Sequence, residues 1–443
     1  MKQYWNGLIK ETEQAIRKLE PKSQEAYRII ATKKPQHIKQ SQNHNNIYAK
    51  RQSHIADNIK QKLQIGKAMI TRADKGRTTV IITIEEYNSK TLDFIHNNNF
   101  NPLNSNPTVK FQKNIKENLK QCNMIINKKQ AIFLTQNKPR APHLKAQIKL
   151  HKPGTPIRPV VNNINAPAHK LAKFLTKTFK EHITLPYQYN TINSITLAQE
   201  LKQFKLITNH RLVTFDIKDL YVNIPTIETL QIPKIMLETQ NKKIISQQIL
   251  QLLSITLHQN YFTFDNKIYQ PSSGTAMGSP LPNDITEIFL QHHEQRLLKH
   301  LFEHKTIEYY TRYVDDIFII YNTEHTNIET INHYIKSIHP NLTFTPTQEN
   351  HNSISFLDLQ ITRQHNTLDI NIYRKPTTAD TTINYYSNHR LEQKLVAYRY
   401  LINRMISLPL TKSNQNREWS NIKTIAQNNN FPIQLIHKLK KKK

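Results

Sequence analysis

The sequence predicts an α+β protein with a central antiparallel sheet and helical, basic flanks. Two observations carry this prediction. Short apolar segments with strand character recur through the middle of the chain, whereas segments with helical spacing lie before and after them. The chain also carries 62 Lys and Arg residues against 32 Asp and Glu residues, which gives a formal net charge of +30.

This charge predicts a polyanionic partner, either nucleic acid or an anionic membrane surface. The sequence lacks the uninterrupted run of about 18 apolar residues that a membrane span requires, and no apolar signal segment follows Met1, so nucleic acid is favoured and no membrane partner is expected. Cys122 is the single cysteine, which excludes a disulfide framework and a cysteine-based zinc module.

The amino-terminal third mixes helical and extended patterns. Residues 1–65 are basic and polar with helical spacing, and Asn43–Asn46 interrupt them as a predicted linker. Ala73–Gly76 is a turn signal before a predicted strand at Thr78–Thr83, and the prolines at Lys138–Pro142 mark a second boundary. The helical spacing in the first segment is carried by Leu8, Ile9, Ile16 and Leu19.

The remaining elements follow from apolar periodicity. Ala166–Ile183 is predicted to be a helix with one apolar face, formed by Leu171, Phe174, Leu175 and Phe179. The tail from Asn384 is predicted to be helical and ends in Lys440–Lys443. Strands are predicted at Leu212–Ile217, Tyr309–Tyr313, Ile317–Tyr321, Ile354–Thr362 and Leu368–Tyr373, and the second and third of these form a hairpin with Asp315 at its tip.

Acidic residues end or interrupt the apolar strands. Asp216 lies in Thr214–Asp219 (TFDIKD), and Asp315 and Asp316 follow Tyr313 in YVDD. An acid in a buried strand must be paired, hydrogen-bonded or bound to a cation. Pairing with a Lys or Arg explains one such acid well, but it explains two adjacent aspartates on a hairpin poorly. Two Mg²⁺ ions held roughly 3.5–4 Å apart would relieve the repulsion and support an in-line phosphoryl displacement.

These motifs resemble the reverse transcriptases of Penelope-like retroelements, whose nearest cellular relatives are telomerase catalytic subunits. TFDIKDLYVNIP at Thr214–Pro225 looks like their first catalytic motif, and YVDD matches their second. GTAMGSPL at Gly274–Leu281 resembles their template-packing segment. Further resemblances, which extend the match to about residues 70–390, are the Asp74-Lys75-Gly76 segment, KLHKPG with RPVV between 149 and 161, SFLDL at 355–359, YRKPTT at 373–378 and SNH at 387–389.

The resemblance implies a right-hand polymerase that copies RNA into DNA. It implies a basic helical extension at 1–65, the Asp74 segment and fingers at 66–205, the palm at 206–375, and the thumb and basic tail at 376–443. The expected partners are an RNA template, a DNA primer and deoxynucleoside triphosphates, and the expected cofactor is a pair of Mg²⁺ or Mn²⁺ ions. Asp216, Asp315 and Asp316 are the implied catalytic and metal-binding residues, and the implied place of action is the nucleus.

Four further residues are expected to bind the nucleotide. Tyr221 occupies the position where the family places a bulky side chain beneath the incoming sugar; the alternative is an ordinary core tyrosine. Lys149 and Arg158 offer cationic donors to the triphosphate, although each alone would be an ordinary solvated charge. Gly278 is one of only six glycines in the chain, which suggests a close backbone approach to a ligand.

The sequence departs from the family in two places. Pro282-Asn283-Asp284 follows GSPL where the family has Ser-Pro or Ser-Gly, so an extra acid lies beside the expected template helix. Nothing resembles the GIY-YIG endonuclease that these elements commonly append, which indicates an endonuclease-lacking type or a truncated chain. Two alternatives therefore stay open: a catalytically decayed nucleic-acid-binding element protein, and a telomerase-like terminal reverse transcriptase.

Overall fold

The computed structural model describes residues 46–75, 78–150, 152–240, 243–271, 274, 278–375, 378 and 380–441. The helix predicted at Leu8–Leu19 and most of the predicted linker lie outside these residues. The linker prediction is wrong at its last residue, because Asn46 already begins a helix. The chain divides into two compact units, one that reaches Ile70 and includes Ile81–Glu86, and one that comprises Thr71–Val80 and Tyr87–Lys443.

The strands of the described residues are β1 (Ala68–Arg72), β2 (Thr79–Thr83), β3 (Phe100–Leu103), β4 (His143–Ile148), β5 (Ile157–Asn162), β6 (His210–Lys218), β7 (Phe262–Phe264), β8 (Lys267–Pro271), β9 (Tyr309–Tyr313), β10 (Asp316–Asn322), β11 (Thr343–Gln348), β12 (Ser353–Phe356), β13 (Leu359–Gln364) and β14 (Thr367–Ile372). The helices are α1 (Asn46–Ile65), α2 (Ile84–Asn97), α3 (Thr108–Gln121), α4 (Lys128–Leu134), α5 (His169–His182), α6 (Ser194–Gln203), α7 (Leu220–Asn223), α8 (Thr226–Gln240), α9 (Lys243–Leu257), α10 (Pro282–Glu303), α11 (Ile328–Lys336), α12 (Leu391–Ser407), α13 (Lys412–Asn428) and α14 (Ile433–Lys441).

A four-stranded sheet with the order β11-β6-β10-β9 forms the centre of the second unit. All of its pairings are antiparallel, as the sequence predicts. The predicted hairpin is confirmed: β9 and β10 pair from Tyr313 opposite Asp316, which leaves Val314 and Asp315 in the turn. The β-branched and aromatic residues of β10 favour a strand, and nearly all of the strand is buried.

Alternation of side chains along the central strands builds one core on each face of the sheet. Phe215, Ile317 and Ile319 point into a core shared with α5, α9 and α10. Leu212, Phe318 and Ile320 point into a second core with α6 and the three-stranded sheet β12-β13-β14. Both faces are therefore covered at the two central strands, whereas the edge strand β11 is largely exposed.

The three-stranded sheet corrects one prediction. Ile354–Thr362 is not one strand, because Leu357 takes a left-handed φ of 54° and the chain turns between β12 and β13. The turn lets Ile354 and Phe356 face the same core as Ile361. The apolar alternation changes phase at the adjacent residues Phe356 and Leu357, so the sequence does mark this turn.

A five-stranded sheet, β3-β8-β7-β4-β5, combines three strands that precede β6 in sequence with two that follow it. The Asp74 segment attaches to it, because the Asp74 amide donates to the Ile148 carbonyl of β4 at 2.9 Å. The predicted helix Ala166–Ile183 is confirmed as α5, with Leu171, Leu175 and Phe179 buried.

The carboxyl-terminal helices α12, α13 and α14 pack around their own apolar cluster. Tyr398, Met405, Ile422 and Ile436 are fully or almost fully buried there. The helical tail that the sequence predicts is thus confirmed as a three-helix bundle. No helix in the described part of the chain combines the length and apolar character needed to cross a membrane.

Candidate active site

A cleft of about 1230 Å³ opens at one end of the four-stranded sheet. Acidic and basic side chains share its walls. The acids are Asp74, Asp216, Asp219, Asp315 and Asp316, and the bases are Lys75, Lys149, Lys152, Arg158, Lys218 and Lys375. A cleft with this composition suits an anionic ligand that arrives with cations.

Strand pairing brings the three predicted carboxylates together. Asp216 of β6 lies directly opposite Asp316, the first residue of β10. Asp315 occupies the hairpin turn, where its carbonyl accepts a hydrogen bond from the Ile217 amide at 3.0 Å. The three acids lie toward one end of the two central strands of the sheet, whose edges are occupied by β11 and β9.

Burial and mutual repulsion disfavour the charged forms of Asp315 and Asp316. The pKa of Asp316 rises to about 6, first because of burial and then because Asp315 and Asp216 are close. The pKa of Asp315 also rises, again through burial first and the charge of Asp216 next. Within the described residues, none of the three forms an ion pair with Lys or Arg. The absence of such ion pairs argues against the alternative in which a Lys or Arg neutralises each acid. The three carboxylates instead offer oxygen ligands of the kind that divalent cations prefer.

Behind the hairpin lies a fully buried arginine, Arg312 of β9. Its guanidinium donates to Glu294 at 2.6 Å and, through two nitrogens, to Glu287 at 2.8 and 3.0 Å, and both glutamates lie on α10. Tyr310 donates its hydroxyl to Glu294 at 2.8 Å. Buried charges persist only when they are paired in this way.

The guanidinium of Arg312 also contacts the turn between β9 and β10. Its Nη1 donates to the Val314 carbonyl at 3.0 Å. Val314 has a φ of 57°, a left-handed conformation that is unfavourable for a β-branched residue. The hydrogen bond from Arg312 therefore fixes a strained turn, and this turn directs Asp315 into the cleft.

The predicted phosphate-binding residues line the same cleft, but one of them is already paired. The Arg158 Nε lies 2.9 Å from the buried Asp74 carboxylate, and about half of the Arg158 side chain is exposed. Lys149 begins the loop after β4, where its amide donates to the Pro156 carbonyl at 2.8 Å. Arg158 thus holds the Asp74 segment at the cleft and presents the rest of its guanidinium to it.

Two further lysines stand close together in the cleft. Burial and the nearby Lys375 lower the pKa of Lys75 to about 8. Lys75 and Lys375 repel each other, as the carboxylates of the sheet do. An anion such as a triphosphate would stabilise the lysines, just as cations would stabilise the acids.

Tyr221 lies in the cleft on the short helix α7, half-buried, and its hydroxyl donates to the Asn283 side chain at 2.8 Å. The residue is therefore not an ordinary core tyrosine. Its pKa is raised, first by burial and next by the charge of Asp315. Asn283 belongs to the segment that departs from the family pattern, and its neighbour Asp284 lies 3.6 Å from Lys180.

Gly278 lines the cleft with a positive φ of 75°. A Cβ at this position would lie 2.0 Å from the Val161 carbonyl of β5. The structure therefore supplies a reason for glycine that the sequence did not suggest, namely close backbone packing rather than approach to a ligand.

Sequence reasoning missed Arg312, Glu287 and Glu294, and it did not single out Lys375 or Asn283. Arg312 carried a usable signal, because a charge inside an apolar strand demands a partner just as the acids do. The two glutamates carried none, since a helix gives no indication of which acids face inward without tertiary structure.

The fold and the cleft together define a polymerase of the right-hand class, with a carboxylate-bearing antiparallel sheet backed by helices. The family described as reverse transcriptase (RNA-dependent DNA polymerase) matches residues 150–343. Residues 150–343 thus resemble a reverse transcriptase domain.

Solved telomerases share the fold. The telomerase of Candida albicans, solved with a fragment of telomeric RNA, has a TM-score of 0.55 at 12% identity over 84% of this chain. The apo telomerase of Candida tropicalis has a TM-score of 0.50 at 12% identity over 82% of this chain. This chain covers 66% of the length of each. No curated protein matches the sequence.

The contact between Arg312 and the turn predicts a selective catalytic defect. Arg312→Lys retains the charge but cannot bond two glutamates and the Val314 carbonyl together. We expect primer extension to slow by roughly 10-fold or more, the loss that about 1.4 kcal/mol of misplacement produces. Primer–template affinity should stay within twofold.

A matched control is Arg363→Lys. Arg363 forms a comparably buried ion pair with Glu349 and does not line the cleft. Both variants are compared by thermal melting and by single-turnover extension rate. Equal rate losses in the two variants, or none in Arg312→Lys, would show that Arg312 only stabilises the fold.

Proposed function

We propose that this protein copies an RNA template into DNA from a DNA primer, using deoxynucleoside triphosphates. The observation that carries the proposal is the set of three carboxylates that strand pairing brings together at one cleft, with Asp315 and Asp316 partly buried and Asp216 exposed. They face a basic cleft without a direct counter-charge, inside the segment that matches reverse transcriptases.

Asp216, Asp315 and Asp316 would hold two Mg²⁺ or Mn²⁺ ions, which on binding would activate the primer 3′-hydroxyl and neutralise the leaving pyrophosphate. The chain's own groups do the rest. Lys75, Lys149, Arg158 and Lys375 would bind and orient the triphosphate, since they line the cleft opposite the acids. The rigid sheet fixes the acids before substrate arrives, so little reorganisation is needed at the reacting centre.

The particular lineage that we propose is a Penelope-like retroelement, acting in the nucleus. Its support is the set of family-specific motifs, above all the Asp74-Lys75-Gly76 and Tyr373–Lys375 segments. Lys75 and Lys375 of these two segments meet in the cleft, although they are some 300 residues apart in sequence.

A telomerase-like terminal reverse transcriptase is the second candidate, because two solved telomerases share the fold of this chain. The two candidates differ in their template. A retroelement enzyme should copy a long, unrelated RNA supplied in trans. A terminal enzyme should need one particular RNA that is bound beforehand. Extension on an arbitrary RNA therefore separates them.

Replacing one of these carboxylates should impair primer extension and leave RNA binding nearly unchanged. Asp315→Asn or Asp316→Asn should reduce primer extension on RNA by more than 100-fold, roughly the range for removing one strong electrostatic contact. RNA binding should stay nearly intact, because one charge is a small part of +30. Primer extension and a binding titration measure the two. Extension within tenfold of wild type by both variants would refute the assignment, and an inactive wild type that binds RNA would indicate a decayed element protein.

The position of Tyr221 in the cleft predicts that this residue selects deoxynucleotides over ribonucleotides. If its ring lies beneath the incoming sugar, Tyr221→Ala should raise ribonucleotide incorporation relative to deoxynucleotide by roughly 10–200-fold, the range for one shape contrast. Tyr221→Phe is the matched control, because it removes only the hydroxyl and its bond to Asn283. It should keep the wild-type preference. A folded, active Tyr221→Ala variant with unchanged sugar preference would place the selecting residue elsewhere.

A further inference from the structure

Away from the cleft, Glu228, His293 and His339 meet in one cluster. They come from three separate elements: the first turn of α8, the middle of α10, and the segment between α11 and β11. None of the three lines the cleft. The cluster is therefore separate from the three aspartates and from the chemistry proposed for them.

The separations fit one small cation. The Oε2 of Glu228 lies 3.3 Å from the Nε2 of His293 and 3.2 Å from the Nε2 of His339. Ligands about 2.0–2.2 Å from a tetrahedral zinc ion stand roughly 3.3–3.5 Å apart. All three donor atoms lie within 4.8 Å of one another.

The state of His293 supplies an independent reason to expect a ligand. Its Nε2 is buried and has no hydrogen-bond partner. Its distance to Glu228 is short, but the pair lacks hydrogen-bond geometry. A buried polar atom in this state demands an explanation, and a shared cation would provide one.

We propose that Glu228, His293 and His339 bind one divalent transition-metal ion, Zn²⁺ above all, with water as the fourth ligand. Two imidazoles and one carboxylate suit Zn²⁺, whereas Mg²⁺ prefers oxygen donors throughout. The site is thus chemically distinct from the three aspartates. It is independent of the proposed polymerase function.

Binding requires a tautomer change at His339. Without metal, its Nδ1 accepts from the Asn341 amide at 3.2 Å, so its Nε2 carries the proton and donates to Glu228. When the metal takes Nε2, the proton must move to Nδ1 and the bond from Asn341 is lost. This loss should make affinity lower than in a preformed site, and Zn²⁺ should release readily to a chelator.

The metal would brace the helix that supports the hairpin. His293 and Glu294 are adjacent on α10, and Glu294 and Glu287 hold Arg312. An ion that ties α10 to α8 and to the segment before β11 would resist movement of these glutamates. Its role is structural, because no donor of the cluster reaches the cleft.

The test uses the full chain, treated with chelator and then titrated with Zn²⁺ by calorimetry in excess Mg²⁺, so that the aspartates do not compete. Wild type should bind one Zn²⁺ and gain thermal stability. His293→Ala and His339→Ala should weaken binding by at least roughly 100-fold, more than the loss of an outer-shell partner costs. Folding of each variant is checked by circular dichroism.

Two controls make the result specific. His292→Ala changes the exposed neighbour of His293 and should bind like wild type. His300→Ala removes half of the stacked His300–His304 pair, another place where Zn²⁺ could bind, and it too should leave binding unchanged. The proposal is overturned if folded wild type binds no Zn²⁺, if His293→Ala and His339→Ala bind as tightly as wild type, or if binding disappears in His300→Ala.

Discussion

The repulsion among Asp216, Asp315 and Asp316 is the constraint on which the rest of the site depends. Antiparallel pairing of β6 with β10 places two of these acids opposite each other, and the hairpin turn adds the third. Three carboxylates this close together cost folding free energy, and the partial burial of Asp315 and Asp316 adds to that cost. The two buried cores on either side of the sheet stabilise the strands enough to hold them there.

The fully buried Arg312 lies behind the hairpin that carries two of the acids. Arg312 is neutralised by Glu287 and Glu294, so it offers the aspartates little direct compensation. It contributes geometry instead, by fixing the Val314 carbonyl in a turn that valine would otherwise avoid. This arrangement keeps the carboxylates available to cations that arrive with the substrate. A lysine beside them would stabilise the apo protein and block that site.

Much of the central sheet could be predicted from the sequence, because its strands are short, apolar and interrupted by acids. The hairpin at Asp315 followed directly from this pattern. The prediction of one strand over Ile354–Thr362 overlooked the adjacent apolar residues Phe356 and Leu357, where the alternation changes phase and Leu357 takes a left-handed φ.

The residues of the candidate site were likewise predicted only in part. The family motifs predicted that the three aspartates, Tyr221, Lys149 and Arg158 belong to one site, and all of them line the same cleft. The contacts that orient the site come from distant segments. Asp74 pairs with Arg158, Asn283 accepts a hydrogen bond from Tyr221, and Glu294 of α10 pairs with Arg312. Long-range contacts of single side chains leave no local periodicity, so they become visible only in the folded chain.

The most direct measurement of the central claim is the melting temperature of wild type and Asp316→Asn from pH 4 to 8, with and without Mg²⁺. The folded pKa of Asp316 is about 6 against an ordinary 3.8. A raised pKa means that wild type loses stability as pH rises through about 6. Without Mg²⁺, Asp316→Asn should therefore melt increasingly above wild type as the pH rises, on the order of 2 °C for each 1 kcal/mol of relieved repulsion. Mg²⁺ should stabilise wild type above pH 6 and have a much smaller effect on the variant. A difference in melting temperature that does not change with pH, together with equal responses to Mg²⁺, would contradict the account.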